Sequence, residues 1–443
     1  MAAPELKKQP NKQPSKEPSK EPSKEPMDRF YDIAIVGGGM VGAALALALA
    51  RGQAGQSEPL RVVVFEAFGL PLADSQPLQP SYDARSTAIS LGSRHLFEGL
   101  GIWPELAVTA CPIHKIQVSD RGHPGAARLD AAKEQVPALG YVLENARLGQ
   151  TLLQALQQQA AVTFCCPAEV VVAEAIPGGM RVEYEYAGER HGCESRLLVI
   201  ADGGRSGLCQ QLQLDRVETS YQQSALIANL SLDRPHQQVA YERFSAEGPM
   251  ALLPLADDAQ GRARSALVWT VPLEQADELL GIEDAEFIRR LQERFGYRAG
   301  RFIALGERHG YPLQRVLACE QIRTGLAVLG NAAHSLHPVA GQGFNLAFRG
   351  AMVLAQELLQ AQSEQRSLGS LDTLQRFQSQ LRWDQTKTLG FSDQISKLFS
   401  NPRVAPVLAR NLGLLGLELV APFKHAFAQS AMGLDMPLPK LER

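Results

Sequence analysis

The sequence lacks the cysteine pattern of a metal site or a disulfide framework. Its six cysteines, Cys111, Cys165, Cys166, Cys193, Cys209 and Cys319, show no ligand spacing, and the neighbours Cys165 and Cys166 would point to opposite sides of a strand. Reduced thiols and no metal are the expectation. Charge of one sign is also missing: a net charge of -3 with 21% charged residues provides no basic field for nucleic acid. No unbroken apolar run has the length of a membrane span. Residues 1–26 hold almost nothing apolar, which excludes a signal peptide, and three PSKE repeats at 14–17, 18–21 and 22–25 mark a solvated tail rather than a transit peptide. Met27 stands just before the first strand, so this tail is expected to be dispensable.

What is present is the punctuation of an α/β protein. Tyr31 to Val36 is an apolar run, Gly37, Gly39 and Gly42 follow as G-x-G-x-x-G, and an alanine- and leucine-rich helix runs on to about Arg51. Gly37 allows a tight turn, Gly39 a close approach of pyrophosphate, and Gly42 close packing of helix on strand. A second strand, Arg61 to Phe65, ends at Glu66, 24 residues past Gly42, where a carboxylate can accept both hydroxyls of an adenosine ribose. These features together predict a dinucleotide site, without deciding between FAD and NAD.

Other candidates have two readings each. Arg85, at the end of a proline-rich loop, reaches a phosphate or flavin, or pairs with Asp83. Arg147, in the first turn of a helix from Asn145 to about Gln158, touches a cofactor or caps the surface. Asp202 ends a buried strand, Arg196 to Ala201, as a ligand at the sheet edge or as an Asx turn. From Ser224 to Pro272, and again over Phe302–Leu313, short strands replace the βα alternation; Gln275 to Phe295 is helical between them. Tyr241, Arg243, Met250, Leu252 and Trp269 there are cavity wall or sheet core. The stretch Gly325 to Gly350 repeats the nucleotide theme: a buried strand at Leu326–Leu329, a break at Gly330-Asn331, then Pro338, Gly341 and Gly343 before a helix containing Asn345. His334 and His337 in that turn read as positioning residues or proton shuttles and match no zinc pattern. Val404 to Ser430 is notably apolar, a helical cap on the core or a face for a membrane or partner.

Taken together, the glycines with Glu66, the Asp202-Gly203 edge and the Gly330-Asn331 stretch resemble the FAD-dependent aromatic monooxygenases of the para-hydroxybenzoate hydroxylase fold, over about residues 30–435. VSDRGH at 118–123, GNAAHSLHPVAGQGFNLAFR at 330–349 and Ala431-Met432-Gly433 resemble the ubiquinone-biosynthesis hydroxylases within it, in particular those acting on 2-polyprenyl-6-methoxyphenol. The resemblance implies a Rossmann-like α/β FAD-binding domain in three segments (27–110, 140–215 and 320–370). An inserted, mostly antiparallel substrate domain takes 111–139 and 216–319, and a helical C-terminal region takes 371–443. It assigns Gly37, Gly39, Gly42, Glu66, Arg85, Arg147, Asp202, Asn331, Pro338, Gly341, Gly343 and Asn345 to FAD. Asn331 stands where the wider family has an aspartate for the ribityl chain.

It further implies NAD(P)H, with NADPH the expected form, as a transient donor with no domain of its own. O2 then reacts through a flavin hydroperoxide with a polyprenyl phenol to give the 1,4-benzoquinol; another ring position, or a non-hydroxylating flavin reductase of the same fold, is the alternative. Arg85, His337 and Pro338 are its catalytic candidates. Other ubiquinone-biosynthesis proteins are expected partners, and a homo-oligomer stays open. The expected location is the cytoplasm, with peripheral contact to the inner face of the cytoplasmic membrane through the C-terminal region.

Overall fold

Strands that read as continuous apolar runs build the first sheet of the computed structural model, as expected where both faces are covered. Its backbone path runs, edge to edge, through Ile322–Arg323, Leu326–Val328, Glu189–Ile200, Phe30–Val36, Val62–Phe65 and Val162–Cys165. All the pairings from Leu326–Val328 across to Val162–Cys165 are parallel. The Ala168–Ile176 and Gly179–Tyr186 strands extend it as an antiparallel meander. Phe30–Val36 is central, and its two neighbours lead away in opposite directions, so the carboxyl ends of Phe30–Val36 and Glu189–Ile200 form the crevice in which open α/β sheets bind ligands. Helices Met40–Gly52, Asn145–Gln157 and Gln342–Ser363 cover one face; Leu45, Leu49, Leu152, Phe348 and Leu354 are fully buried in the shared core. The structure describes residues 30–440 apart from 54–57, 70–84, 246, 338–340 and 401–402, so the N-terminal tail, Asp83 and Pro338 lie outside the described residues.

The second sheet has nine strands, in order His334–Ser335, His309–Ala318, Arg216–Leu232, Arg264–Pro272, Met250–Leu255, Val239–Phe244, Lys115–Asp120 and Ala126–Asp130, with Phe302–Leu305 also paired to Arg216–Leu232. It is antiparallel except where Val239–Phe244 meets Lys115–Asp120. Two helices, Leu273–Gly281 and Asp284–Phe295, cover its outer face, where the sequence predicted one; the chain turns extended at Ile282-Glu283 between them. The single strand expected over Phe302–Leu313 likewise divides, into Phe302–Leu305 and His309–Ala318.

Leu371–Ser400 forms one 30-residue helix, continuous through Gly390. Val404–Leu419 and Ala421–Ala431 follow, meeting at Val420. A buried charge pair joins the first of these to the second sheet: Arg410 Nε donates to Asp120 Oδ2 at 2.7 Å, and Asn411 Nδ2 donates to the same oxygen at 3.0 Å. Neither Arg410 nor Asp120 has much contact with solvent, so removing one alone would strand a buried charge.

Candidate active site

At the crevice the two glycine turns and the edge of the Glu189–Ile200 strand converge. A Cβ on Gly37, whose φ is +103°, would lie 2.6 Å from the Ala201 carbonyl oxygen; one on Gly42 would lie 1.9 Å from the Gly37 carbonyl oxygen. The turn therefore packs backbone on backbone and leaves the start of Met40–Gly52 bare, with neither a capping side chain nor an acidic residue in its first turn. Glu66 closes one side. Its two carboxylate oxygens accept from Gly38 N at 2.7 Å and Phe68 N at 2.9 Å. Asp202 is an Asx turn, accepting from Gly204 N at 2.8 Å and Ser206 N at 2.7 Å, and it borders the crevice as well. The Asx-turn reading of Asp202 describes these bonds.

The second helix opening, Gln342–Ser363, is similarly bare: its N-cap is Gly341 at φ +60°, with no side-chain cap and no acid in the first turn. Asn345 holds it in register with the strand Ser86–Ser90, its amide accepting from Ser90 N at 2.9 Å and donating to Ala88 O and Gly341 O, each at 2.9 Å. Two uncapped helix starts aimed at one crevice, a cradle a single methyl would fill and a buried carboxylate at the second strand end fit a dinucleotide carrying pyrophosphate at one end and an electron-rich ring at the other.

From this crevice a cavity of about 800 Å³ runs on between the second sheet and the C-terminal helices. Gly37, Gly39, Glu66, Arg85, Asp202, Tyr241, Asn331, Gly341, Gly343 and Asn345 border it. The Arg85 guanidinium lies over the Tyr311 ring, 4.6 Å from its centre. The far arm is mostly apolar: Ile395, Leu398 and Phe399 on one helix, Leu414 and Leu417 on the next beside the paired Arg410, and Phe427 on the last. This arm escaped the sequence reading because it needs three C-terminal helices and the strand Lys115–Asp120, nearly 300 residues earlier in the chain.

Several candidates lie elsewhere. Arg147 is exposed and donates to Gln150 at 3.3 Å, outside the cavity, which is its surface reading. Met250, Leu252 and Trp269 belong to the core under the two covering helices; Trp269 meets Phe287 edge-on at 5.5 Å. Arg243 shares their face by register with Met250. The reason is strand parity: Ala251, Leu253 and Val268, one residue along, face the cavity instead. His337 is buried beside Tyr221, Gln223 and Ser392, and does not border the cavity. Burial pushes His337 and His334 down to about 4, so both are neutral near pH 7.

The model of the FAD binding domain family matches residues 31–387. Ubiquinone hydroxylase UbiL of Rhodospirillum rubrum is 34% identical over 408 residues, covering 92% of this chain and 90% of that protein. The 3-demethoxyubiquinol 3-hydroxylase of Escherichia coli is 32% identical, covering 91% and 98%. Among solved structures, p-nitrophenol 4-monooxygenase PnpA of Pseudomonas putida superposes with a TM-score of 0.72 at 18% identity, covering 92% of this chain and 99% of that one, a likeness of fold.

Proposed function

This chain belongs to the FAD binding domain family, among flavin-dependent monooxygenases related to the ubiquinone hydroxylases, and from that premise we propose that it hydroxylates the ring of a polyprenyl phenol. The specific reaction proposed is 2-polyprenyl-6-methoxyphenol to the 1,4-benzoquinol, with NADPH as donor. One observation carries the reading: the cavity is polar at the glycine turns and apolar in its far arm, matching a flavin at one end and an isoprenoid chain at the other. FAD, reduced by the nicotinamide donor, supplies the oxygen chemistry when bound: one atom of O2 goes to the ring and the other leaves as water.

The residues contribute binding, orientation and dryness. Glu66 takes the ribose hydroxyls, and the start of Met40–Gly52 faces the pyrophosphate. The start of Gln342–Ser363, held by Asn345, directs its positive end at the ring, where negative charge is stabilised by about 0.3–2 kcal/mol. Asn331 replaces a carboxylate by an amide that still donates and accepts. Pro338, which lies outside the described residues, stays a proposed flavin neighbour on the sequence resemblance alone. The test is full-length FAD-loaded protein supplied with NADPH, ¹⁸O₂ and prenylated phenols. One labelled oxygen per product ring is expected; NADPH consumption without label in the ring would leave a non-hydroxylating reductase.

A substrate with such a tail resides in lipid, since each buried CH2 is worth roughly 0.8 kcal/mol. Among the described residues no single helix is long and apolar enough to cross a membrane, and the pair Pro406–Leu419 and Ala421–Ala431 bends by 98°. Yet the helix whose inner face offers Leu414 and Leu417 to the cavity turns outward Leu408, Leu412, Leu415 and Leu419, exposed by 59%, 58%, 37% and 80%. Their spacing of four, three and four residues makes one stripe, prolonged by the exposed Phe423. We read it as resting on the inner face of the cytoplasmic membrane with the tail arm directly behind it. Replacing Leu412, Leu415 and Leu419 together by serine should reduce co-sedimentation with phosphatidylglycerol vesicles at least tenfold while flavin content stays normal. Undiminished sedimentation would refute this placement. Association with other ubiquinone-biosynthesis proteins and with a second copy of the chain is proposed alongside, tested by co-purification and by mass in solution.

A further inference from the structure

The cavity floor contains one carboxylate in a cross-strand row of otherwise apolar side chains. Pairing across the second sheet sets Ile227 opposite Val268, Val268 opposite Ala251, Ala251 opposite Glu242 and Glu242 opposite Val118. All five border the cavity, and four are apolar. Strand parity fixes the orientation. Tyr241 packs edge-on against Phe295 at 5.7 Å on the helix-covered face, while Phe244, two residues past Glu242 and on its side, stacks on Phe399 at 3.7 Å across the cavity arm. The other carboxylates bordering the cavity, Glu66, Glu169 and Asp202, belong to the nucleotide crevice and its meander, so among the described residues Glu242 is the acid that the second sheet contributes.

A carboxylate in an apolar row costs desolvation that valine or leucine at the same position would not, and in its charged form it is acceptor-only. Its two oxygens can serve a protein donor and a ligand donor at once. We infer that Glu242 accepts a hydrogen bond from the ring hydroxyl of the substrate and thereby selects neutral phenols over their ethers and over rings bearing a carboxylate. This rests on the hydroxylase reading and deepens it. A phenol titrates near 10 and arrives with its proton in place, so the carboxylate meets a donor; a ring carboxylate would meet a like charge. By holding the hydroxyl, Glu242 also fixes which ring carbon faces the flavin, a positioning role with no covalent step of its own.

The experiment measures binding to the oxidised, FAD-loaded full chain by flavin fluorescence, using 2-farnesylphenol, its O-methyl ether and 3-farnesyl-4-hydroxybenzoate. The wild type is expected to prefer the phenol over the ether by roughly ten- to hundredfold, the range of a hydrogen bond to a charged group. E242L should bring that ratio near one. E242Q, of the same shape, should raise relative binding of the ring carboxylate at least tenfold. If both variants bind flavin and keep the wild-type ratios, the inference is overturned; if E242L loses flavin, the E242Q ratio decides alone. Labelled-oxygen incorporation by the wild type separates this from the hydroxylase reading. Hydroxylation with unmoved ratios removes only the role of Glu242, and moved ratios without hydroxylation remove only the reaction.

Discussion

Gly42→Ala should give a folded chain that purifies with less than about a tenth of the wild-type flavin, because overpacking against backbone has no cheap relaxation. The added methyl would sit 1.9 Å from the Gly37 carbonyl oxygen, 3.2 Å from its carbon and 3.3 Å from Ile35 Cγ2. Two of those atoms are main chain, and Gly37 is itself fixed by donating to Phe65 O at 2.8 Å. The helix start must therefore lift off the turn, and its free N–H groups then no longer face the pyrophosphate position. Gly99→Ala is the control, since its Cβ would meet nothing within 4 Å near the end of a helix. Absorbance at the flavin band after gel filtration reads both. A G42A protein with full flavin would mean that the cofactor does not lie on this turn.

That site was legible because local backbone chemistry leaves marks in the sequence. A positive φ at Gly37 and at Gly341 and the carboxylate at the end of the second strand each solve a problem within a few residues of chain. The fold class was legible in the same manner, from glycine stops and changes of period. The face of the second sheet was not. Met250 and Leu252 look more like a cavity wall than Ala251 and Leu253 do, but both faces of that strand are covered, one by helices and one by the cavity, and large residues fill whichever side needs volume. Glu242 was passed over for the adjacent Tyr241 and Arg243 for the same reason. Pairs such as Asp120 with Arg410, separated by 290 positions, leave no sequence mark at all.

A second long-range pair carries the other large effect. Arg349, one turn after Asn345, donates Nε to Asp384 Oδ2 at 2.8 Å and Nη2 to Oδ1 at 3.1 Å, with side chains only 7% and 5% exposed. Around Nη1 the chain leaves just enough room: a Cβ on Gly433 would lie 2.9 Å away, and the Gly92 N–H fastens the neighbouring turn through Met432 O at 2.8 Å. The pair thus ties the helix that opens on the cavity to the C-terminal helices. Asp384→Leu alone strands a buried guanidinium and should cost about 3–5 kcal/mol, a large share of the roughly 5–15 kcal/mol typical of a folded protein. Adding Arg349→Met removes the stranded charge and should restore most of that loss, since replacing a buried pair by apolar residues of similar volume is often close to neutral. Urea unfolding of the flavin-loaded proteins gives the comparison. If the single variant loses less than about 1 kcal/mol, solvent reaches the pair and it is worth no more than a surface bridge. If the double variant stays as unstable as the single, the loss lies in packing around Gly433 rather than in the charge. Restoration in the double variant alone would place the fixing of the flavin-side helix on this ion pair.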